Sequence, residues 1–130
     1  MTRTVVDGMN VIGARPDGWW RDRDGAARRL LRRLQLAATD TDDALTLVLD
    51  GRPAPGLAEG ERGGVDVRYA RRAGRDAADD RIVELVAADT DPAGLRVVTS
   101  DRGLAERVIA LGATVEGAST FLRRLDGLGV

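Results

Sequence analysis

The stretch Thr4-Val5-Val6-Asp7-Gly8-Met9-Asn10-Val11-Ile12 decides how this chain folds. Val5 and Val6 are β-branched and apolar, as a strand buried on both faces requires. An aspartate and a glycine stand where the apolar run stops. In an open parallel sheet, ligands bind in the crevice beyond the carboxyl ends of the strands. Asp7 is therefore expected to be a carboxylate held by a rigid strand at the mouth of a site. Gly8 lets the backbone turn and a substrate come close, and Asn10 offers an amide to orient Asp7 or a water. An Asp-Gly pair alone is equally a plain turn. Three later segments that deliver carboxylates at corresponding places give it weight.

The first of these is Ala44 to Asp50, a second buried strand that again ends in Asp-Gly. A short third strand is expected at Val65 to Tyr69. It is followed by the basic stretch Ala70-Arg71-Arg72-Ala73-Gly74-Arg75 and a helix from Asp76 to about Ala88. The fourth strand, Arg96 to Thr99, ends in Ser100-Asp101, and Ala113 to Val115 makes a fifth. Helices alternate with these strands. One runs from an N-cap at Asp24 to about Ala38 with Ala27, Leu30, Leu31, Leu34 and Ala38 inward. Another carries Leu104, Ala105, Val108 and Leu111 on its apolar face. The last is capped by Ser119 and turns Phe121, Leu122, Leu125 and Leu128 inward. Such alternation predicts an α/β fold, with a mainly parallel five-stranded sheet covered by helices on both faces, in one domain over residues 1–130. Gly51 to Gly64 shows no pattern and reads as a mobile loop that must carry the crossover between the second and third strands.

Composition narrows the chemistry. The 130 residues include no cysteine and no histidine. Disulfides, thiolates, imidazole bases and the soft or borderline metal sites built from them are thereby excluded. Catalysis would have to run on carboxylates, hydroxyls, arginine or a bound hard cation. No apolar run approaches membrane-spanning length and no signal-peptide core is visible, so no membrane partner and a cytoplasmic location are expected. The formal net charge of −1 does not announce a nucleic-acid binder, yet all 20 basic residues are arginine, whose planar forks suit phosphate. Trp19 and Trp20 stand among Arg15, Arg21 and Arg23. They can stack bases or fold back onto the first long helix, and the sequence leaves both open.

Asp7, Asp50 and Asp101 all end strands and so point to one edge of the sheet, where the helix from Asp76 also begins. On its helical wheel Asp79 lies nearest the buried side, Asp76 is intermediate and beside it, and Asp80 faces furthest out. Converging carboxylates without a basic partner repel one another and raise their pKa values. A divalent cation removes that penalty, and oxygen ligands select Mg²⁺ or Mn²⁺. Such ions organise phosphodiester hydrolysis by activating water and stabilising the leaving oxygen. Arg71, Arg72, Arg75 and Arg102 lie near this edge and could hold substrate phosphates. Each acid also has a structural alternative. Asp76 could cap its helix with Asp79 as a capping-box partner, and Ser100 or Asp101 could cap the next.

Together, Asp7-Gly8-Met9-Asn10-Val11-Ile12, Asp50-Gly51, Asp76-Ala77-Ala78-Asp79-Asp80-Arg81-Ile82 and Val97-Val98-Thr99-Ser100-Asp101-Arg102 resemble the NYN domain of the PIN-like nuclease superfamily, in its YacP-like branch. The resemblance runs nearly end to end. It implies a PIN-like three-layer α/β/α fold and a metal-dependent endoribonuclease. Asp7, Asp79 and Asp101 would be its metal ligands, Asp76 an accessory acid, and Asn10 and Ser100 polar residues on the substrate side. Where Asp76 stands, the family often has the longer glutamate. The expected partner is RNA, single-stranded or structured, and a homodimer is compatible with the sequence. The alternative in another class is a non-catalytic RNA-binding or ribosome-associated module of the same fold. A phosphatase for small substrates is a third, which the arginine-rich loops and tryptophans disfavour.

Overall fold

The computed structural model describes residues 2–71, 74 and 76–130. Its strands are β1 (Arg3–Asp7), β2 (Ala44–Leu49), β3 (Gly60–Arg62), β4 (Val65–Tyr69), β5 (Leu95–Val98) and β6 (Thr114–Glu116). They form one six-stranded sheet of order β3-β4-β2-β1-β5-β6. The pairings of β1 with β2 and β5, of β2 with β4 and of β5 with β6 are parallel, whereas β3 runs antiparallel to β4.

Successive residues of a strand face opposite sides of the sheet, and this builds the two outer layers. Val6, Leu47 and Val98 pack in one core with α1 (Gly8–Gly13), α2 (Arg23–Asp40) and α5 (Ala118–Gly127). Val5, Val48 and Val97 pack in a second core with α3 (Ala77–Ala87) and α4 (Arg102–Ala110). Leu34, Leu47, Ile82 and Val108 are wholly buried, and each such side chain stabilises the fold by about 1.5–3 kcal/mol relative to exposure. The result is the expected three-layer α/β/α arrangement. Among the described residues, no helix is long and apolar enough to cross a membrane.

Several details differ from the sequence reading. The sheet has six strands rather than five, because Gly60–Arg62 forms β3 inside the segment expected to lack structure. The physical reason lies in the topology. β2 and β4 are parallel neighbours, so the chain must return between them, and β3 is the returning leg. It is short, charged and at the sheet edge, where such composition blunts further pairing. The preceding loop is pinned as well. Leu57 is buried, its carbonyl accepts the Tyr69 hydroxyl at 2.7 Å, and Glu59 Oε1 accepts the Tyr69 N–H at 2.8 Å.

Gly8 opens α1 directly from β1. A Cβ there would stand 2.7 Å from Leu49 Cδ2 and 2.8 Å from the Val48 carbonyl oxygen. Glycine at this position serves the close packing of α1 on β2 rather than the approach of a substrate. The N-cap of α2 is Asp22, whose Oδ1 accepts the Gly25 N–H at 2.9 Å, and Asp24 lies inside the helix. Ala37 joins its buried stripe, and Ala38 is partly buried against the same core. Helix α5 starts from Gly117 with no side-chain cap, so Ser119 is an internal residue. Leu111 and Leu128 are substantially exposed because each sits at a helix C-terminus, past the last turn that faces the core.

Candidate active site

Asp7 follows Val5 by two residues and shares its face of the sheet, toward α3 and α4. It is only 5% exposed. The neighbouring strand β5 stands in register with β1, Val6 opposite Val98, which brings Thr99 alongside. Thr99 is also buried and donates its hydroxyl to Asp7 Oδ2 at 2.9 Å. The same hydroxyl oxygen accepts the Asp101 N–H at 3.1 Å. Asp7, Thr99 and the start of α4 are thus tied into one chain of hydrogen bonds. Thr99 is a site residue that sequence reading missed. Its signal was a hydroxyl in strand phase with Val97, but recognising it required the β1–β5 register.

The electrostatics follow from burial. The Asp7 carboxyl is pushed up from 3.8 to about 6, chiefly because burial penalises its charge. The Thr99 hydrogen bond opposes this, the charges of Asp79 and Asp101 add to it, and the backbone N–H of Asn10 draws it back slightly. Asp79, in the first turn of α3, is also raised, first by burial and then by Asp101 and Asp76, with Arg107 in α4 opposing. Asp80 instead meets Arg107 Nη1 at 3.0 Å. Both are half-buried while Asp76 is exposed, so the wheel's ranking of Asp80 as furthest out does not hold, and what separates Asp79 from Asp80 is their charged surroundings. Asp79 is raised by burial and by other acids against the opposing charge of Arg107, and Asp80 is paired with that arginine directly.

Asp101 Oδ1 accepts the Leu104 N–H at 2.9 Å and so caps α4, the structural role foreseen as an alternative. Its charge still acts on both Asp7 and Asp79. Asp76 precedes α3 without making a side-chain cap and sits in the left-handed region at φ 63°, ψ 7°. It is the described non-glycine residue with positive φ, a conformation that persists only where surrounding structure holds it.

The other expected residues are distributed around this centre. Asn10 Oδ1 accepts the Ser100 N–H at 2.8 Å, and Ser100 Oγ accepts the Ala118 N–H at 2.8 Å. These two side chains fasten the loop bearing Asp101 to α1 and α5. Arg102 is exposed at the start of α4. Arg71 Nε reaches Glu84 Oε2 at 2.9 Å. The expectations for Arg72 and Arg75 lie outside the described residues. Asp50 stands at the same sheet edge but on the α2 side, facing Arg23 at 3.6 Å. The tryptophans divide between the two readings. Trp19 packs partly against the core, whereas Trp20 is 53% exposed and meets Trp19 edge-on at 5.9 Å between ring centroids.

Asp7, Asp79 and Asp101 offer only hard oxygen donors, and their mutual repulsion is what a divalent cation would relieve. The donor set fits Mg²⁺ or Mn²⁺ in kind. Among the described residues, no three acids are gathered closely enough to hold one ion as they stand.

Comparison with known proteins bears on the fold and the family. No curated protein matches the chain. The fold is similar to that of Rae1 (YacP) from Bacillus subtilis, with a TM-score of 0.77 and 24% identity over 99% of this chain and 76% of that one. A mutant form of the same Bacillus protein gives a TM-score of 0.80, again at 24% identity, over 99% and 77%. Residues 4–128 match the YacP-like NYN domain, so the chain belongs to that nuclease-like family.

Proposed function

We propose that this chain is a metal-dependent endoribonuclease that hydrolyses RNA phosphodiester bonds within a single domain spanning residues 1–130. The observation that carries the reading is the buried Asp7 carboxyl, raised to about 6 with the Asp79 and Asp101 charges bearing on it. Family membership supports the same reading. Asp7, Asp79 and Asp101 would hold Mg²⁺ or Mn²⁺, with Asp76 assisting. The ion would supply water activation and charge stabilisation at the leaving oxygen.

The chain's own residues do the rest. Thr99 keeps the Asp7 carboxylate oriented through its hydroxyl. Asn10 and Ser100 fix the loop that presents Asp101 and border the path of the substrate. Arg102 stands exposed at the same edge to meet a phosphate, and Arg71 and Arg75 are assigned that role on the approach to α3.

The test is Mn²⁺-dependent cleavage of single-stranded RNA. Asp79→Asn should lower the rate about a hundredfold or more, as loss of a group around a metal does. Asp80→Asn should largely spare it, because Asp80 is turned to Arg107. Equal loss in both folded variants would refute the assignment of Asp79. A wild-type protein that binds RNA without cleaving it would be the non-catalytic module instead.

A further inference from the structure

Asp50 stands at the candidate active-site edge without joining the acids around Asp7. Residue Val48, two positions before it, is the register partner of Asp7. The carboxylate of Asp50 helps to line a cavity of about 230 Å³ on the α2 side of the sheet. Met9, Leu49, Leu57 and Tyr69 supply the apolar part of its lining, and Arg23, Asp24, Asp50 and Arg52 the charged part. The Tyr69 hydroxyl is already committed to the Leu57 carbonyl. At the rim, Asp50 faces Arg23 across 3.6 Å, and both side chains are about half exposed. An exposed pair at this distance is weak, and a ligand that engages both partners can open it. Met9 lies two residues beyond Asp7, so the cavity adjoins the candidate cleavage centre.

We propose that this cavity receives a guanine base of the RNA strand, a reading that rests on the nuclease assignment for its biological setting. Single-stranded RNA is recognised by bases turned out of the stack and hydrogen-bonded along their edges. The apolar part of the lining accepts the face of the ring. Asp50 can only accept hydrogen bonds, and guanine alone among the four bases presents two adjacent donors, N1–H and the N2 amino group, to a carboxylate's two oxygens. Guanine O6 and N7 are acceptors and suit the Arg23 guanidinium that stands beside Asp50. Uracil and cytosine have one matching donor group, and adenine has no second donor beside its amino group. Asp50 is thus a specificity-determining residue, distinct from the acids that would hold metal.

The experiment measures binding without cleavage. Fluorescence anisotropy in EDTA compares hexameric RNAs that are all adenine or carry one guanine, cytosine or uracil at the third position. The guanine hexamer should bind about tenfold more tightly than the others, the order expected for one good bidentate pair. Asp50→Asn removes one acceptor and should abolish that preference while leaving the circular dichroism spectrum unchanged. Arg23→Ala, as a second variant, should reduce it. Equal affinity for all four hexamers, or a preference untouched by Asp50→Asn, overturns the proposal. The two readings fail separately. Mn²⁺-dependent cleavage without a guanine preference removes the pocket and leaves the nuclease, whereas guanine preference without cleavage does the reverse.

Discussion

Replacing Asp7 by asparagine should make the metal-free protein more stable at neutral pH. The native carboxyl titrates near 6 and its ordinary value is 3.8. A native pKa above the unfolded one means that the folded state binds the proton more tightly. Stability from this group is therefore fully present below about pH 4 and is lost as pH rises through about 6. At about 1.4 kcal/mol for each pH unit between those values, charged Asp7 costs the fold roughly 3 kcal/mol at pH 7.5. Asparagine keeps the shape and an oxygen to accept the Thr99 hydroxyl, but carries no charge to desolvate and none for Asp79 and Asp101 to repel.

Urea unfolding in EDTA is the assay. At pH 7.5 Asp7→Asn should gain up to about 3 kcal/mol, equivalent to a Tm rise of roughly 10 °C for a chain of this length. At pH 5 most of native Asp7 is already protonated, and the advantage should fall to about half. A variant no more stable than the wild type at pH 7.5, or an advantage that grows toward low pH, would refute the reasoning. Asp7 would then be a satisfied structural carboxylate.

Two further outcomes follow from the same geometry. Millimolar Mn²⁺ should raise the wild-type Tm by mass action on the native state, raise that of Asp7→Asn much less, and lose its effect near pH 5 as Asp7 takes up its proton; differential scanning fluorimetry with and without EDTA checks this. Gly8→Ala should cost about 1–3 kcal/mol by overpacking, since its Cβ meets Leu49 and the Val48 carbonyl at under 3 Å, and urea titration reads the loss directly.

What the sequence disclosed is what short-range physics encodes. Val5-Val6-Asp7 and Val97-Val98-Thr99 announce strands because β-branched apolar runs stop abruptly at polar residues. What it concealed depends on partners distant in the chain. The Thr99–Asp7 hydrogen bond exists because Val6 lies opposite Val98, and register between strands some ninety residues apart leaves no local signature. Asp50 shares the sheet edge of Asp7, but strand phase ends at Leu49, so its side chain can turn to α2 and Arg23. Strand β3 escaped for a related reason. Gly60-Glu61-Arg62 has no apolar alternation, and its pairing with β4 comes from the return path that parallel β2 and β4 impose.

The competing account of these aspartates is that they cap helices, and it makes its own electrostatic demand. A capping carboxylate accepts backbone N–H bonds, which stabilise its charge and lower its pKa. Asp101 meets the geometric part of that demand through Leu104. Asp76, placed immediately before a helix, makes no side-chain cap, and Asp7 makes no capping hydrogen bond either, the Asn10 N–H exerting only the smallest of the influences on its pKa. Asp7 and Asp79 are raised rather than lowered, and Asp76 holds a left-handed backbone that glycine would adopt with less strain. Capping would be served better by different residues at all three positions. Retaining charge where it destabilises the fold is the pattern expected when the charge serves chemistry. The cost at Asp7, about 3 kcal/mol, is of the size that a bound cation returns when its concentration exceeds its Kd about a hundredfold. An acid placed for metal thus accounts for both the repulsion among these groups and its persistence, whereas a cap accounts for neither.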